Sequence, residues 1–170
     1  MPKKIFLRLK KNEKILPKDF LQECQQVEVF ELTGESLEEI PAELFTLPQL
    51  QILKIKNGKL KSLPQLSQGQ PLSPLKTLQL SHQQLANLPE WLFEFKSLEL
   101  LDLSSNCLKT LPESLAKLSI LKRLNLDGNQ FQTFPGALYG LKGLNHLSVD
   151  ENPLTESEKG LLHQRFSMWF

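Results

Sequence analysis

Apolar and polar residues alternate along this chain in short bursts, and the bursts recur. Leu101, Asp102 and Leu103 have a period of two, which sends the leucines to one side of a strand and the aspartate to the other. Around them stands a longer frame: Leu98, Leu101, Leu103, Asn106, Leu108, Leu111, Pro112, Leu115 and Leu118. The frame returns from Leu121 as Leu124, Leu126, Asn129, Phe131, Phe134, Pro135, Leu138 and Leu141. Copies begin at Val27, Leu50, Leu75, Leu98, Leu121 and Leu144, a period of about 23 residues. Each copy predicts one strand of about three residues, closed by the asparagine position and a turn. One such strand cannot bury its apolar side alone, but copies stacked in a parallel sheet can.

The second half of each copy predicts the return path. Five copies carry an apolar residue followed by proline: Ile40-Pro41, Leu63-Pro64, Leu88-Pro89, Leu111-Pro112 and Phe134-Pro135. The proline removes a donor and fixes the backbone, so a long helix through that point is disfavoured. Short helical turns are predicted at residues 90–95, 113–118 and 136–141. The copy from Leu50 is longer by two residues. Its residues 65–74, rich in Ser, Gln and Pro, predict a loop on the side away from the sheet.

Asn106, Asn129 and Asn152 stand where the chain leaves each strand. A side-chain amide both donates and accepts, so it can satisfy backbone groups buried at that bend, and successive copies stack into a ladder. The earlier copies carry Glu35, Gly58 and Gln83 instead. The ladder is therefore expected from Asn106 onward, with a less regular edge before it. In front, Ile5, Leu7 and Leu9 alternate, Asn12 stands at the ladder place, and Phe20, Leu21 and Cys24 have helical spacing. Residues 1–26 are read as a divergent first repeat and amino-terminal cap. At the back, Thr155 and Glu158 form a capping-box pattern for a closing helix, with Leu161, Leu162 and Phe166 placed to cover the last coil. Residues 155–170 are the closing cap, and Met168, Trp169 and Phe170 pack on it or form an exposed apolar contact that supports weak dimerisation.

From Val27 to Leu154 the frame resembles the leucine-rich repeat proteins, in the 23-residue Leu-Pro-containing subtype found in many bacterial repeat proteins and in Ras-pathway scaffolds. The resemblance implies a single α/β domain over residues 1–170, with repeats over 27–154. It implies a right-handed solenoid with a parallel sheet on the concave face, short helical or 3-10 turns on the convex face, and helical caps. It also implies a non-enzymatic module that binds another protein on the concave face. Some bacterial members are secreted effectors, so the alternative expectation is a secreted or virulence-associated repeat protein acting on a host protein. A ubiquitin-ligase domain, appended in some of those effectors, is not expected, because the chain is read as ending at its cap.

Composition narrows the field. The formal net charge is +1, which gives no global field for nucleic acid or an anionic membrane. The basic start over residues 1–11 lacks the apolar stretch of a secretory signal, and no apolar run is long enough to span a bilayer. Cys24 and Cys107 lie more than three copies apart, too far for a bridge. A cytoplasmic monomer is expected, with export by a route lacking a cleaved signal as the alternative.

The frame also places the outward residues of the sheet. A middle column runs Glu31, Lys54, Gln79, Asp102, Asn125 and Ser148; a second runs Thr33, Lys56, Ser81, Ser104, Asp127 and Asp150. The third runs Val29, Ile52, Thr77, Leu100, Arg123 and His146. Two patches are expected: a basic group of Lys54, Lys56 and Lys76, and an acidic group of Asp102, Asp127, Asp150 and Glu151. With Val29, Ile52 and Leu100 as apolar anchors, such a face suits a protein partner of opposite polarity. The partner-binding candidates are Glu31, Lys54, Lys56, Lys76, Gln79, Leu100, Asp102, Arg123, Asn125, Asp127, His146 and Asp150.

Other chemistry is not expected. Asp127 and Asp150 could share a cation but offer few ligands, and solvent or Arg123 is expected to relieve their repulsion. His82 and His146 fall three copies apart, roughly 14 Å along the sheet, too far to ligate one metal. Cys107 has no histidine near it, and Ser81, Ser104 and Ser105 have no aligned base, so neither metal, cofactor nor catalytic site is anticipated. Phe45, Phe93 and Tyr139 occupy equivalent places on the back, with Trp91 close by. They are read as packing between convex turns, with a second aromatic binding surface as the alternative.

Overall fold

In a computed structural model, which describes residues 3–17, 19–67 and 69–166, the repeats form a seven-stranded sheet. The strands are β1 (Lys3–Arg8), β2 (Val27–Thr33), β3 (Ile52–Lys56), β4 (Thr77–Gln79), β5 (Leu100–Asp102), β6 (Arg123–Asn125) and β7 (His146–Ser148). Their spatial order is their chain order, and every neighbouring pair is parallel. The middle column aligns residue for residue across β2 to β7: Glu31, Lys54, Gln79, Asp102, Asn125, Ser148. Frame leucines such as Leu53, Leu78, Leu101 and Leu124 are wholly buried in one continuous core. Truncating one of them to alanine would cost about 2–5 kcal/mol.

Strand length departs from the expected three residues in the first half. There β2 spans seven residues and β3 five, while β4 to β7 span three each. The longer strands carry Val27, Val29, Thr33, Ile52 and Ile55, β-branched side chains that suit a pleated surface.

The return path forms 3-10 turns at Ala42–Thr46, Glu90–Glu94 and Glu113–Lys117, and a short α1 at Gly136–Gly140. Each begins directly after its proline, which sits in extended backbone as its fixed φ favours. Between β3 and β4 no helical turn forms among the described residues, and the inserted segment runs there as an open loop. It is tied down by Ser73 N–H donating to Phe45 O (2.9 Å) and Trp91 Nε1 donating to Pro64 O (3.2 Å).

The two ends close differently. In front, Asp19–Cys24 forms a 3-10 turn that buries Leu21 and Cys24. Asn12 is exposed and joins no ladder; the local turn is held by Lys10 N–H donating to Glu13 Oε2 (2.7 Å). At the back, α2 (Glu156–Phe166) starts where Thr155 Oγ1 accepts the Glu158 N–H (3.2 Å). The return arm of the capping box is absent. The buried Glu158 carboxylate instead accepts from the Phe134 N–H (3.2 Å) and the Tyr139 hydroxyl. Leu162 is buried, whereas Leu161 is 48% exposed and faces away from the coil it was expected to cover. Successive helical residues point roughly 100° apart, and the orientation that buries Leu162 turns Leu161 toward solvent. Met168, Trp169 and Phe170 lie outside the described residues.

Candidate binding surface

A recognition face needs side chains held in place, and the ladder beneath the sheet holds these. Asn129 donates from Nδ2 to Leu103 O (2.9 Å), Leu126 O (3.0 Å) and Asp127 O (3.2 Å), and its Oδ1 accepts from Leu108 N–H (3.1 Å). Asn106 and Asn152 repeat the set one copy before and after. The expectation that the ladder starts at Asn106 needs correction. Gln83 is buried and does the same work: Nε2 donates to Ser81 O (3.2 Å) and Ile55 O (3.4 Å), and Oε1 accepts from Leu60 N–H (3.3 Å). Its extra methylene carries the amide further into the preceding coil, which is why glycine stands at 58. A Cβ there would lie 2.4 Å from Gln83 Oε1. Without a side chain at 58 the equivalent Leu37 N–H turns to Gly34 O (3.0 Å).

From the copy at Leu50 onward the residue before the ladder position is left-handed: Asn57, His82, Ser105, Gly128 and Glu151 all have φ between 54° and 61°. This bend turns each strand into its loop at the same point. It was missed in the sequence because five different residue types occupy it; Asn57 and Gly128 were the available hints.

On the outward face the middle column is largely engaged with itself. Lys54 Nζ donates to Glu31 Oε1 (2.7 Å), so the central basic residue is half-buried and already paired. Gln79 donates to Asp102 Oδ2 (3.2 Å), while Asp102 Oδ1 accepts from the Ser104 N–H and hydroxyl (3.0 and 2.7 Å). Asn125 Oδ1 accepts the Asp127 N–H (2.9 Å). Asp127 in turn accepts from the Ser148 hydroxyl (2.7 and 2.8 Å) and the Asp150 N–H (2.7 Å). Of the two expected ways to relieve the Asp127–Asp150 repulsion, no hydrogen bond or ion pair to Arg123 forms among the described residues, while Asp127 takes these donors and Asp150 is exposed to solvent.

Lys76 does not join Lys54 and Lys56. It precedes Thr77 at the amino-terminal end of β4, whereas Lys56 closes β3 at the opposite end. Lys76 belongs to a row with Glu99 and Lys122, where Lys122 Nζ donates to Glu99 Oε2 (2.6 Å). That bond first, and the charges of Lys122 and Lys76 after it, lower the Glu99 pKa. Beside this row lies a shallow depression of about 250 Å³ lined by Lys76, Thr77, Leu100 and Arg123.

The column Val29, Ile52, Thr77, Leu100, Arg123, His146 is in strict register and differs from the middle one. Among the described residues its side chains form no hydrogen bond or ion pair, and Arg123 and His146 are exposed. Lys56, in the second column, is likewise unpaired among the described residues. The Asp102 and Asp127 carboxylates are therefore hydrogen-bonded within the face to neutral donors, while Asp150 and Glu151 are exposed.

On the back, Phe45 and Phe93 are buried. Trp91 packs on Phe45 at 4.9 Å between ring centroids and edge-on against Phe95 at 6.1 Å. Tyr139 stacks on Phe166 at 6.3 Å and joins α1 to α2. These contacts are packing between turns. Cys24 is buried and Cys107 half-buried; both are free thiols, and burial raises the Cys24 pKa. No helix of the described residues is long and apolar enough to cross a membrane.

A stack of parallel strands, 3-10 return turns and a buried asparagine ladder defines a solenoid of the leucine-rich repeat kind. The leucine-rich repeat family model matches residues 73–131 and 112–154. The chain is a leucine-rich repeat protein. A solved leucine-rich repeat protein of Leptospira interrogans superposes with TM-score 0.63 at 30% identity, covering 88% of this chain and 43% of that one. The Drosophila Toll–Spatzle complex superposes with TM-score 0.66 at 23% identity over 90% of this chain and 24% of that one, a likeness of fold alone. In sequence, 86 residues are 34% identical to the volume-regulated anion channel subunit LRRC8E of Xenopus tropicalis, covering 51% of this chain and 11% of the relative. A further 71-residue match, 37% identical, is to a PHLPP-like protein phosphatase of Drosophila melanogaster, covering 42% of this chain and 7% of the relative. The chain thus spans about a tenth of the length of the curated relatives it matches.

Proposed function

We propose that this chain is a non-enzymatic recognition module that binds a protein partner on the concave sheet face, with the column from Val29 to His146 at the centre of contact. The leucine-rich repeat is a general protein-interaction fold. The observation that carries the reading is the contrast between neighbouring columns. The middle column spends its polar groups on itself and on the second column, while the other offers Val29, Ile52, Leu100, Arg123 and His146 without side-chain hydrogen bonds or ion pairs among the described residues. Half-buried apolar side chains beside the exposed Arg123 and His146 give a partner both area and orientation. The ladder fixes the backbone beneath, so little ordering cost falls on binding.

The test is affinity capture from the native cell with the wild-type chain, a Leu100→Glu/Arg123→Glu variant and an Ala116→Glu control on the convex 3-10 turn. Partners held by wild type and control should fall at least ~10-fold with the double variant. Equal retention by all three folded chains would remove the column from the binding site.

A further inference from the structure

The sheet has a bare edge. β1 pairs with β2 on one side and, among the described residues, with nothing on the other. It is six residues long, twice the length of the opposite edge strand β7. Leu9 N–H donates toward β2, to Thr33 O (2.9 Å). Backbone groups alternate sides along a strand, so the N–H and C=O groups of Lys4, Phe6 and Arg8 face the open side. The same residues send their side chains to the outward sheet face, in line with Val29, Glu31 and Thr33. Phe6 is 67% exposed, Lys4 and Arg8 are exposed, and neither cation has an ion pair among the described residues.

We infer that the free edge of β1 receives an extended segment of another protein whose outward side chains alternate acidic, apolar, acidic. Strand addition satisfies the three pairs of open backbone groups. Charge selects the occupant. A second copy pairing antiparallel about Phe6 would set Lys4 directly opposite Arg8, and like charges directly opposite are destabilising. An acidic–apolar–acidic strand sets carboxylates beside Lys4 and Arg8 and an apolar side chain beside Phe6. Charged side chains on an edge can also serve only to repel other chains, and the experiment separates the two roles. The added strand would lie beside β1 and not on the column from Val29 to His146, which it adjoins only where Lys4 pairs with Val29.

The probes are a fluorescent peptide with the core Glu-Thr-Val-Thr-Glu and its Lys-Thr-Val-Thr-Lys counterpart, titrated by anisotropy against the full chain. The acidic peptide should bind saturably and the basic one should not. Lys4→Glu with Arg8→Glu should weaken binding at least ~10-fold. Phe6→Pro removes an open-side donor that the β1–β2 ladder does not use, so it should abolish binding, while Phe6→Leu keeps it. The acidic peptide N-methylated on alternate amides should also fail, a check that leaves the protein untouched. Equal binding of both peptides, no binding, or full binding by the N-methylated peptide would overturn the inference. So would a concentration-dependent dimer in sedimentation that Phe6→Pro dissolves, since the edge would then belong to a second copy.

Discussion

The two halves of the solenoid hold neighbouring coils together by different means. From Leu98 onward the strands are three residues long, and each coil is joined to the one before by an asparagine amide. Before Leu75 no side chain of the described residues bridges the coils at that bend, but the strands run to five and seven residues. Short strands with a side-chain ladder, or long strands without one, both satisfy the backbone groups that a buried bend would orphan. Gln83 is the junction between the two regimes. Its reach into the preceding coil shows that a ladder residue is a property of two adjacent copies, since Gln83 is tolerated only because Gly58 leaves room.

The contrast can be broken at its strongest point. Asn129→Ala would leave the buried Leu108 N–H without its acceptor, while Leu103 O, Leu126 O and Asp127 O each keep another donor, and should destabilise by up to about 3 kcal/mol, read from denaturant midpoints. Glu35→Ala, at the equivalent but exposed position of the first copy, should change stability by no more than about 0.5 kcal/mol. Similar losses at both sites would mean that the halves do not differ.

The next test addresses the junction. Gly58→Ala places a Cβ against Gln83 Oε1 and 3.2 Å from Leu37 O, and should cost about 1–3 kcal/mol. Gly58→Asn combined with Gln83→Asn converts both copies to the downstream pattern. The pair should couple favourably by about 1 kcal/mol or more relative to the single changes. Strict additivity would show that the two positions are not paired.

Much of this architecture is legible in the leucines alone. A fixed frame sets the strand register, so the middle column and the column from Val29 to His146 follow residue by residue, whereas in the second column Ser81 is buried. The columns do not reveal their own chemistry. Lys54 reads as a free cation until Glu31 is seen 2.7 Å away, and Asp127 reads as strained until Ser148 and Asp150 are seen donating to it. Sign alone groups Lys76 with Lys54 and Lys56, and only its place along the strand separates them. Gln83 was set aside because its residue type differs from asparagine, although the amide group is what the site requires. In each case the missing information was which partner a side chain meets across copies, and periodicity is silent on that.

The carboxyl-terminal end offers a test through pH. The chain has a single tyrosine, so its ultraviolet titration reports Tyr139 alone. Burial first, and then the hydrogen bond and charge of Glu158, raise the phenol pKa well above its ordinary value. The unfolded phenol ionises near ~10. The folded state therefore binds the proton more tightly, and this contribution is fully present below that pH and declines as pH rises past it. Absorbance of the phenolate should appear late and together with unfolding. Glu158→Gln should move the onset toward the ordinary value; an onset near pH ~10 in the folded wild type would contradict the packing of α2 on Tyr139.

The smallest effect separates what glycine does in the two halves. Glu151 is exposed and left-handed, with φ at 57°, a conformation that costs an L-residue about 1–2 kcal/mol. Glycine removes that cost but loses about 0.5–1 kcal/mol of unfolded-chain entropy. Glu151→Gly should therefore stabilise by roughly 0.5 kcal/mol. In the first copy the equivalent residue is Gly34, which is not left-handed; a Cβ there would sit 3.0 Å from Leu9 Cβ. Gly34→Ala should destabilise through crowding against Leu9, and Leu9→Gly, which removes the Cβ at the contact, should relieve that penalty in a double-mutant cycle. Gly128→Ala should destabilise through its φ of 61°, and no change at neighbouring Ser105 should relieve it. If trimming Leu9 fails to rescue Gly34→Ala, close approach is not the reason for glycine in the first copy.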